Sequence, residues 1–166
     1  MRKNVRSILF IICFGIPFFN KAQAQQHPLS GTYTINAALR TDVDVARNFQ
    51  TFTAAAQALV DSTISGPVVI NVVPGSGPYN DQMTLDSVPG TSATNTVTFN
   101  CNGNELFFRT ENGTNRAGIK LVGADYIIID SLFINVLSET ALEFGYGVHI
   151  LNNADNNIIR KCKIQC

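Results

Sequence analysis

Charged residues are scarce in this sequence. They make up 14% of its 166 residues, whereas hydrophobic residues make up 45%. This balance excludes an intrinsically disordered chain, which combines low hydrophobicity with high net charge. Few charges together with many Thr, Asn and Ser residues favour an all-β protein with polar turns, and the length leaves room for one domain.

A surplus of positive charge is also missing. The formal net charge is zero, yet Arg2, Lys3, Arg6 and Lys21 all precede the first acidic residue. Without these four, eight basic residues face twelve acidic ones, which gives a net charge of −4. We therefore expect no phosphate-binding surface and no nucleic-acid partner.

No apolar run is long enough to span a membrane. The longest, Ile8 to Phe19, contains Pro17 and falls short of the roughly 18 residues that a span needs. It follows the basic MRKNVR segment and precedes Ala22-Gln23-Ala24, an A-x-A cleavage sequence. Residues 1–24 are therefore predicted to be a secretory signal peptide, not a transmembrane anchor. The mature chain would be secreted, extracellular or on the cell surface, with no membrane span.

Paired cysteines are missing too. Beyond the signal peptide the chain keeps Cys101, Cys162 and Cys166, an odd number that leaves at least one thiol unpaired. Cys162 and Cys166 would lie roughly 13 Å apart along a strand, too far for a disulfide. They also lack the CxxC spacing of a zinc site. We predict buried, inert thiols.

A repeat organises the second half of the sequence. GIKLVGADYIIIDSLFINV begins at Gly118, and GVHILNNADNNIIRKCKI begins 29 residues later at Gly147. After one inserted residue the offset is 30, so that Asp125 matches Asp155 and Ile129 matches Ile159. Short β-rich runs at such a period, separated by Gly, Asn and Asp, are typical of a stacked repeat. Ile134 then matches Ile164.

The segment before the repeat contains one predicted helix. Apolar residues recur at helical spacing from Phe49 to Val60, and Gly66-Pro67 would end the helix. We interpret Phe49 to Ser62 as an amphipathic helix that covers the first coil of the stack. Residues 25–66 would hold a first strand and this capping helix, and residues 67–166 the parallel coils. Alternation then predicts a set of inward side chains, namely Val68, Ile70, Val72, Val97, Phe99, Leu132, Ile134 and Val136.

These segments resemble secreted bacterial right-handed parallel β-helix proteins. The matching sequences are GTYTI at Gly31, the helical segment from Phe49 to Leu59, SGPVVINV at Ser65, VPGTSATNTVTF at Val88, GADYIIIDSLFI at Gly123 and NNADNNIIRKCKI at Asn152. Proteins of this pectate-lyase-like fold include large cell-surface proteins that are exported by type IX secretion. The resemblance implies an all-β, right-handed parallel β-helix with an N-terminal capping helix. It also implies that this chain is the N-terminal part of a longer protein.

The enzymes of that fold use carboxylates, either to bind Ca²⁺ or to cleave glycosides. Asp125, Asp130 and Asp155 are the best candidates, since Asp125 and Asp155 should lie about 4.8 Å apart on neighbouring coils. Asp also shapes tight turns, and we favour that role. Asn157 takes the place of Ile127 in the preceding coil and is predicted to begin or extend an amide ladder.

The remaining polar candidates are predicted to be solvated. His149 lies on an alternating strand and should face outward, and Arg109, Arg116 and Lys120 should form a loose basic group near a turn. GxGxxG, P-loop, HExxH and GxSxG motifs are all missing. We therefore assign no catalytic, cofactor-binding or metal-binding residue, and no cofactor.

The sequence predicts a non-enzymatic, adhesin-like surface protein that binds a polysaccharide or another cell-surface ligand. The first alternative is the N-terminal part of a polysaccharide lyase or glycoside hydrolase. The second is a segment that serves only as cap and spacer.

Overall fold

The described part of the chain consists mainly of short β-strands and their connections, with one helix. The structure is a computed structural model that describes residues 27–112, 114–137, 140, 143 and 145–166, so the predicted signal peptide lies outside it. The strands are β1 Leu29–Ile35, β2 Asn48–Phe49, β3 Ile64–Val72, β4 Tyr79–Asn80, β5 Met83–Asp86, β6 Val97–Asn100, β7 Glu105–Phe108, β8 Ala117–Val122, β9 Ile127–Asp130, β10 Phe133–Val136, β11 Tyr146–Leu151, β12 Ile158–Arg160 and β13 Lys163–Gln165, and helix α1 spans Phe52–Ser62.

The strands form three sheets whose paired strands are all parallel. Sheet A has the order β12-β9-β6-β3-β1-β2, sheet B the order β13-β10-β7-β4, and sheet C the order β11-β8-β5. From β3 onward, every third strand along the chain therefore returns to the same sheet. The predicted β-rich, parallel class is confirmed. A right-handed coil is a finer statement and stays a prediction.

The inward side chains predicted from alternation are buried. Val68, Ile70 and Val72 in β3 have no exposed surface, and the same holds for Val97 and Phe99 in β6. The strand register is consistent with this burial, because Val68 pairs with Val97 and Ile70 with Phe99. The core therefore consists of aliphatic and aromatic columns that cross the strands. Leu132, Ile134 and Val136 are also buried.

Strand register explains the sequence repeat. Leu121 pairs with Ile150 and Ile129 with Ile159, which confirms both offsets of the alignment. The glycines match for a steric reason. A Cβ atom on Gly118 would approach Ile134 Cγ2 to 2.7 Å, and one on Gly147 would approach Ile164 Cγ2 to 2.2 Å. Both strands thus need glycine where the neighbouring sheet comes close.

Helix α1 begins later than predicted. Thr51 is its N-cap and accepts a hydrogen bond from the backbone N–H of Ala54. Phe49 belongs instead to β2, where it pairs with Ile35 of β1. Gly66 and Pro67 do not end the helix, because it stops at Ser62 and both residues lie inside β3.

The apolar face of α1 contacts β1, β2 and β5. Phe52 is fully buried at its start, with its ring edge-on to Tyr79 at 5.2 Å and stacked on Phe99 at 6.5 Å. Ala55, Ala56 and Leu59 continue the buried face. These contacts agree with the predicted covering role of the helix.

The cysteines differ from the prediction of three buried thiols. Cys101 is fully buried, Cys162 is half-buried and Cys166 is exposed, and all three are free. The reason is that β13 is an edge strand of sheet B, so its inward positions are uncovered. Ile164, the partner of buried Ile134, is likewise 49% exposed.

Replacing Phe52 with aspartate should destabilise the protein strongly. Phe52→Asp places a carboxylate at a position with no exposed surface, and it removes two ring contacts, so we expect a loss of about 3–5 kcal/mol. Thermal and urea unfolding measure this change. Gln57→Lys, on the exposed side of the same helix, is the matched control and should stay within about 0.5 kcal/mol of the parent. Equal melting temperatures for Phe52→Asp and the parent would disprove the covering role.

Candidate functional site

The two repeat aspartates, Asp125 and Asp155, meet at a turn. Asp125 Oδ1 accepts a hydrogen bond from the backbone N–H of Asp155 at 2.6 Å. The Asp155 carbonyl in turn accepts from the N–H of Tyr126, which has a left-handed backbone conformation. The structure therefore brings Asp125 and Asp155 together as predicted, and it uses the Asp125 carboxylate to join two successive turns.

Asp130 belongs to a polar column along sheet A. Asn71 pairs in register with Asn100, Asn100 with Asp130, and Asp130 with Arg160. Asn100 Nδ2 donates to Asn71 Oδ1 at 3.1 Å, and Arg160 Nε donates to Asp130 Oδ2 at 2.6 Å. Ser131 Oγ donates to the other oxygen of Asp130. The column thus cross-links β3 with β6 and β9 with β12 through side chains.

These partners hold the carboxylate of Asp130 in its charged form. The hydrogen bond from Ser131 and then that from Arg160 lower the pKa of Asp130 below its ordinary value, against an opposing effect of desolvation. A carboxylate that is kept ionised by a close arginine is a poor general acid. In the structure the Asp130 carboxylate links β9 to β12 through Arg160.

Asn157 bonds to backbone and forms no amide ladder. Its Nδ2 donates to the Ala124 carbonyl at 2.8 Å, and its Oδ1 accepts from the Ile127 N–H at 2.9 Å. In the described residues, an amide–amide hydrogen bond between neighbouring strands of sheet A joins Asn100 to Asn71.

The residues of the predicted basic group contact different partners. Arg109 Nε lies 3.6 Å from Glu143 Oε1, and Arg116 Nη2 donates to the Glu111 carbonyl. Lys120 in β8 is the strand-register partner of the exposed residue His149 in β11. The centroids of the His149 and Tyr146 rings lie 5.3 Å apart. The outward orientation of His149 is confirmed.

A groove of about 530 Å³ lies between helix α1 and the corner where sheets B and C meet. Helix α1 contributes Thr53 and Gln57 to it. The other residues come from β4 and β5, the connection between them, the end of β7 and the approach to β8: Asn80, Asp81, Gln82, Thr84, Asp86, Phe108, Arg109 and Asn115. The lining is mostly hydroxyl, amide and carboxylate groups, with one aromatic ring.

Asp81 fixes the helix side of the groove. Its Oδ2 accepts from the Thr53 N–H at 2.9 Å, and its Oδ1 accepts from the Thr53 hydroxyl at 2.5 Å. The N–H groups of a first helical turn have no partner within the helix, so a carboxylate there satisfies one of them and interacts favourably with the helix dipole. Asp81 thereby connects α1 to the β4–β5 corner.

An amide pair fixes the opposite side. Gln82 Nε2 donates to the carbonyls of Asn115 and Ala117, at 3.2 Å and 3.0 Å, while Asn115 Nδ2 donates to Gln82 Oε1 at 3.1 Å. These bonds hold the segment before β8 against the β4–β5 corner. Hydrogen bonds therefore hold Thr53 and Asp81 on one side of the groove and Gln82 and Asn115 on the other.

Sequence reasoning missed this groove. Thr53, Asp81 and Asn115 are far apart in the chain and share no period. The only local signal is the polar triplet Asn80-Asp81-Gln82, placed between the buried residues Tyr79 and Met83.

Within the described part of the chain, no group of three or more His, Cys, Asp or Glu residues is arranged to hold a metal ion. No helix among these residues is long and apolar enough to cross a membrane. Comparison of the chain with protein-family models, curated proteins and solved structures finds no match.

At acidic pH, Asp130 should make the free energy of unfolding depend on pH. Because its folded-state pKa is lowered, its contribution is complete above the unfolded-state pKa, near 3.8, and is lost as the pH falls through the folded-state value. Asp130→Asn should therefore be less stable than the parent at neutral pH, and the difference should shrink in acid. Urea unfolding at a series of pH values measures this. Asp44→Asn, at an exposed position between β1 and β2, is the control; the same pH dependence in all three proteins would contradict the role of Asp130.

The three thiols should react at very different rates. Burial raises the pKa of the Cys101 thiol far above its ordinary value, and Cys101 has no exposed surface, so it should react only on unfolding. Exposed Cys166 should react first with a thiol reagent such as dithionitrobenzoate, and half-buried Cys162 more slowly. Cys166→Ser should abolish the fast phase. A fast phase that persists in this variant would contradict the assignment.

Proposed function

We propose that this chain is a secreted or cell-surface protein with a right-handed parallel β-helix fold. Its function would be to bind a polysaccharide or another surface ligand in an adhesin-like manner. Catalysis is not part of this proposal. The groove between α1 and the β4–β5 corner is the observation that carries it.

The strand order supports the fold. Each sheet gains one parallel strand for every three strands along the chain, which is the order that a coil of three strands generates. Connections between parallel strands are right-handed in nearly all proteins, so a right-handed coil is the expected hand. The predicted export signal in residues 1–24 supports placement outside the cell.

The lining of the groove supports a carbohydrate ligand. Sugars offer many hydroxyl groups, and Gln57, Asn80 and Thr84 present exposed amide and hydroxyl groups to the groove. Its volume falls within the range of known small-molecule sites. Because hydrogen bonds already hold Thr53, Asp81, Gln82 and Asn115, a ligand would bind without first ordering these residues.

One observation favours the enzymatic alternative. Asp81 and Asp86 both line the groove, and glycoside hydrolases use two carboxylates on either side of the bond that they cleave. Asp81, however, uses both of its oxygens to hold Thr53. We therefore favour binding over hydrolysis.

Ligand binding in the groove can be tested with a substitution that fills the groove. Titration of the isotope-labelled secreted chain with a mixed oligosaccharide panel, followed by NMR, should shift the amide signals of Gln57, Asn80 and Thr84. Thr84→Arg, which places a long side chain into the groove, should weaken binding at least about tenfold, a cost of about 1.4 kcal/mol. Thr94→Arg, at an exposed position outside the groove, should bind like the parent.

Two results would count against this function. Binding that survives Thr84→Arg unchanged would place the ligand elsewhere. Turnover of an acidic polysaccharide by the chain with added Ca²⁺ would favour the lyase alternative.

A further inference from the structure

The groove contains carboxylates without a matching cation. Asp81 and Asp86 line it, and in the described part of the chain neither forms an ion pair. Among the described lining residues Arg109 is the one basic residue, and its guanidinium lies 3.6 Å from Glu143. The charge that the groove presents to a ligand is therefore negative.

Asp86 is the carboxylate most available to a ligand. It lies at the end of β5 on an exposed position, and its register partner in β8 is Val122, which has no polar group to offer. Lys120, on the same strand, pairs with Thr84 and is not part of the groove lining. Within the described residues no side chain donates a hydrogen bond to Asp86, whereas Asp81 already holds Thr53.

We propose, on the basis of the binding function given above, that the groove selects glycans that bear amino groups over neutral glycans, and neutral glycans over those that bear carboxylates. A protonated sugar amine beside Asp86 would form a charge-assisted hydrogen bond there, with Asp81 adding a second negative charge. A uronic acid would instead meet two carboxylates of its own sign.

The expected size of this preference follows from exposed ion pairs. Each such pair contributes up to about fivefold in affinity, so two carboxylates give a preference of the order of tenfold for an amino glycan over a neutral one. The attraction acts through solvent and should weaken as salt is added, because the Debye length falls to about 3 Å at 1 M salt.

Calorimetric titration with three trisaccharides tests this order. The probes are glucosamine trimer, cellotriose and trigalacturonate, which differ in charge and share a similar size. The parent should bind the amino trimer most tightly and trigalacturonate most weakly. Asp86→Asn should lose about fivefold in affinity for the amino trimer, with little change for cellotriose. Asp44→Asn removes the same charge outside the groove and should bind all three like the parent.

The outcomes separate this inference from the binding function. Equal affinities for the three probes, a preference for trigalacturonate, or an equal loss in Asp86→Asn and Asp44→Asn would overturn the charge selection. In each of those cases, binding that Thr84→Arg abolishes would leave the groove as a glycan site. Failure of all three probes to bind would remove the glycan function and the selectivity with it.

Discussion

In-register pairing of parallel strands is the constraint on which the other features depend. Ile70 pairs with Phe99 and Phe99 with Ile129, so a buried side chain in one strand meets a buried side chain in the next. A slip of one residue would turn each of these side chains outward, and the core would lose them together. The same register aligns the outward residues, which is why Asn100 meets Asn71 on one side and Asp130 on the other.

The strand register is also the feature that could be predicted from the sequence. Its two matching copies align because equivalent residues pair in space, and alternation within a strand then gives the buried face. The first and last residues of helix α1 were harder to predict from the sequence. Phe49 keeps helical spacing with Phe52, and only its pairing with Ile35 in β1 assigns it to a strand. Pro67 suggested a stop, yet it lies in β3 where the pairing with β1 shifts register, and there a residue without an N–H is tolerated.

The candidate sites also differ in whether the sequence repeat predicts them. Asp125 and Asp155 could be placed side by side from the repeat, since they occupy the same position in both copies. The groove could not, because Thr53, Asp81 and Asn115 come from a helix, a corner and a loop that occur once each. Exposure of Cys166 was missed for a related reason: periodicity assigns a side chain to the inner face, but burial also requires a neighbour that covers it. The edge strand β13 has a covering strand on one side only.

The groove and the core are connected through Asp81. Its carboxylate holds the first turn of α1, and the neighbouring residue Phe52 closes the aromatic cluster with Tyr79 and Phe99. The segment that covers the core is thus also one wall of the groove. A ligand in the groove binds the folded helix and not the unfolded chain, so it must raise the free energy of unfolding of that region by mass action. If the groove binds a ligand as proposed, ligand binding and the covering of the core are parts of one equilibrium, in which Asp81 is the shared contact.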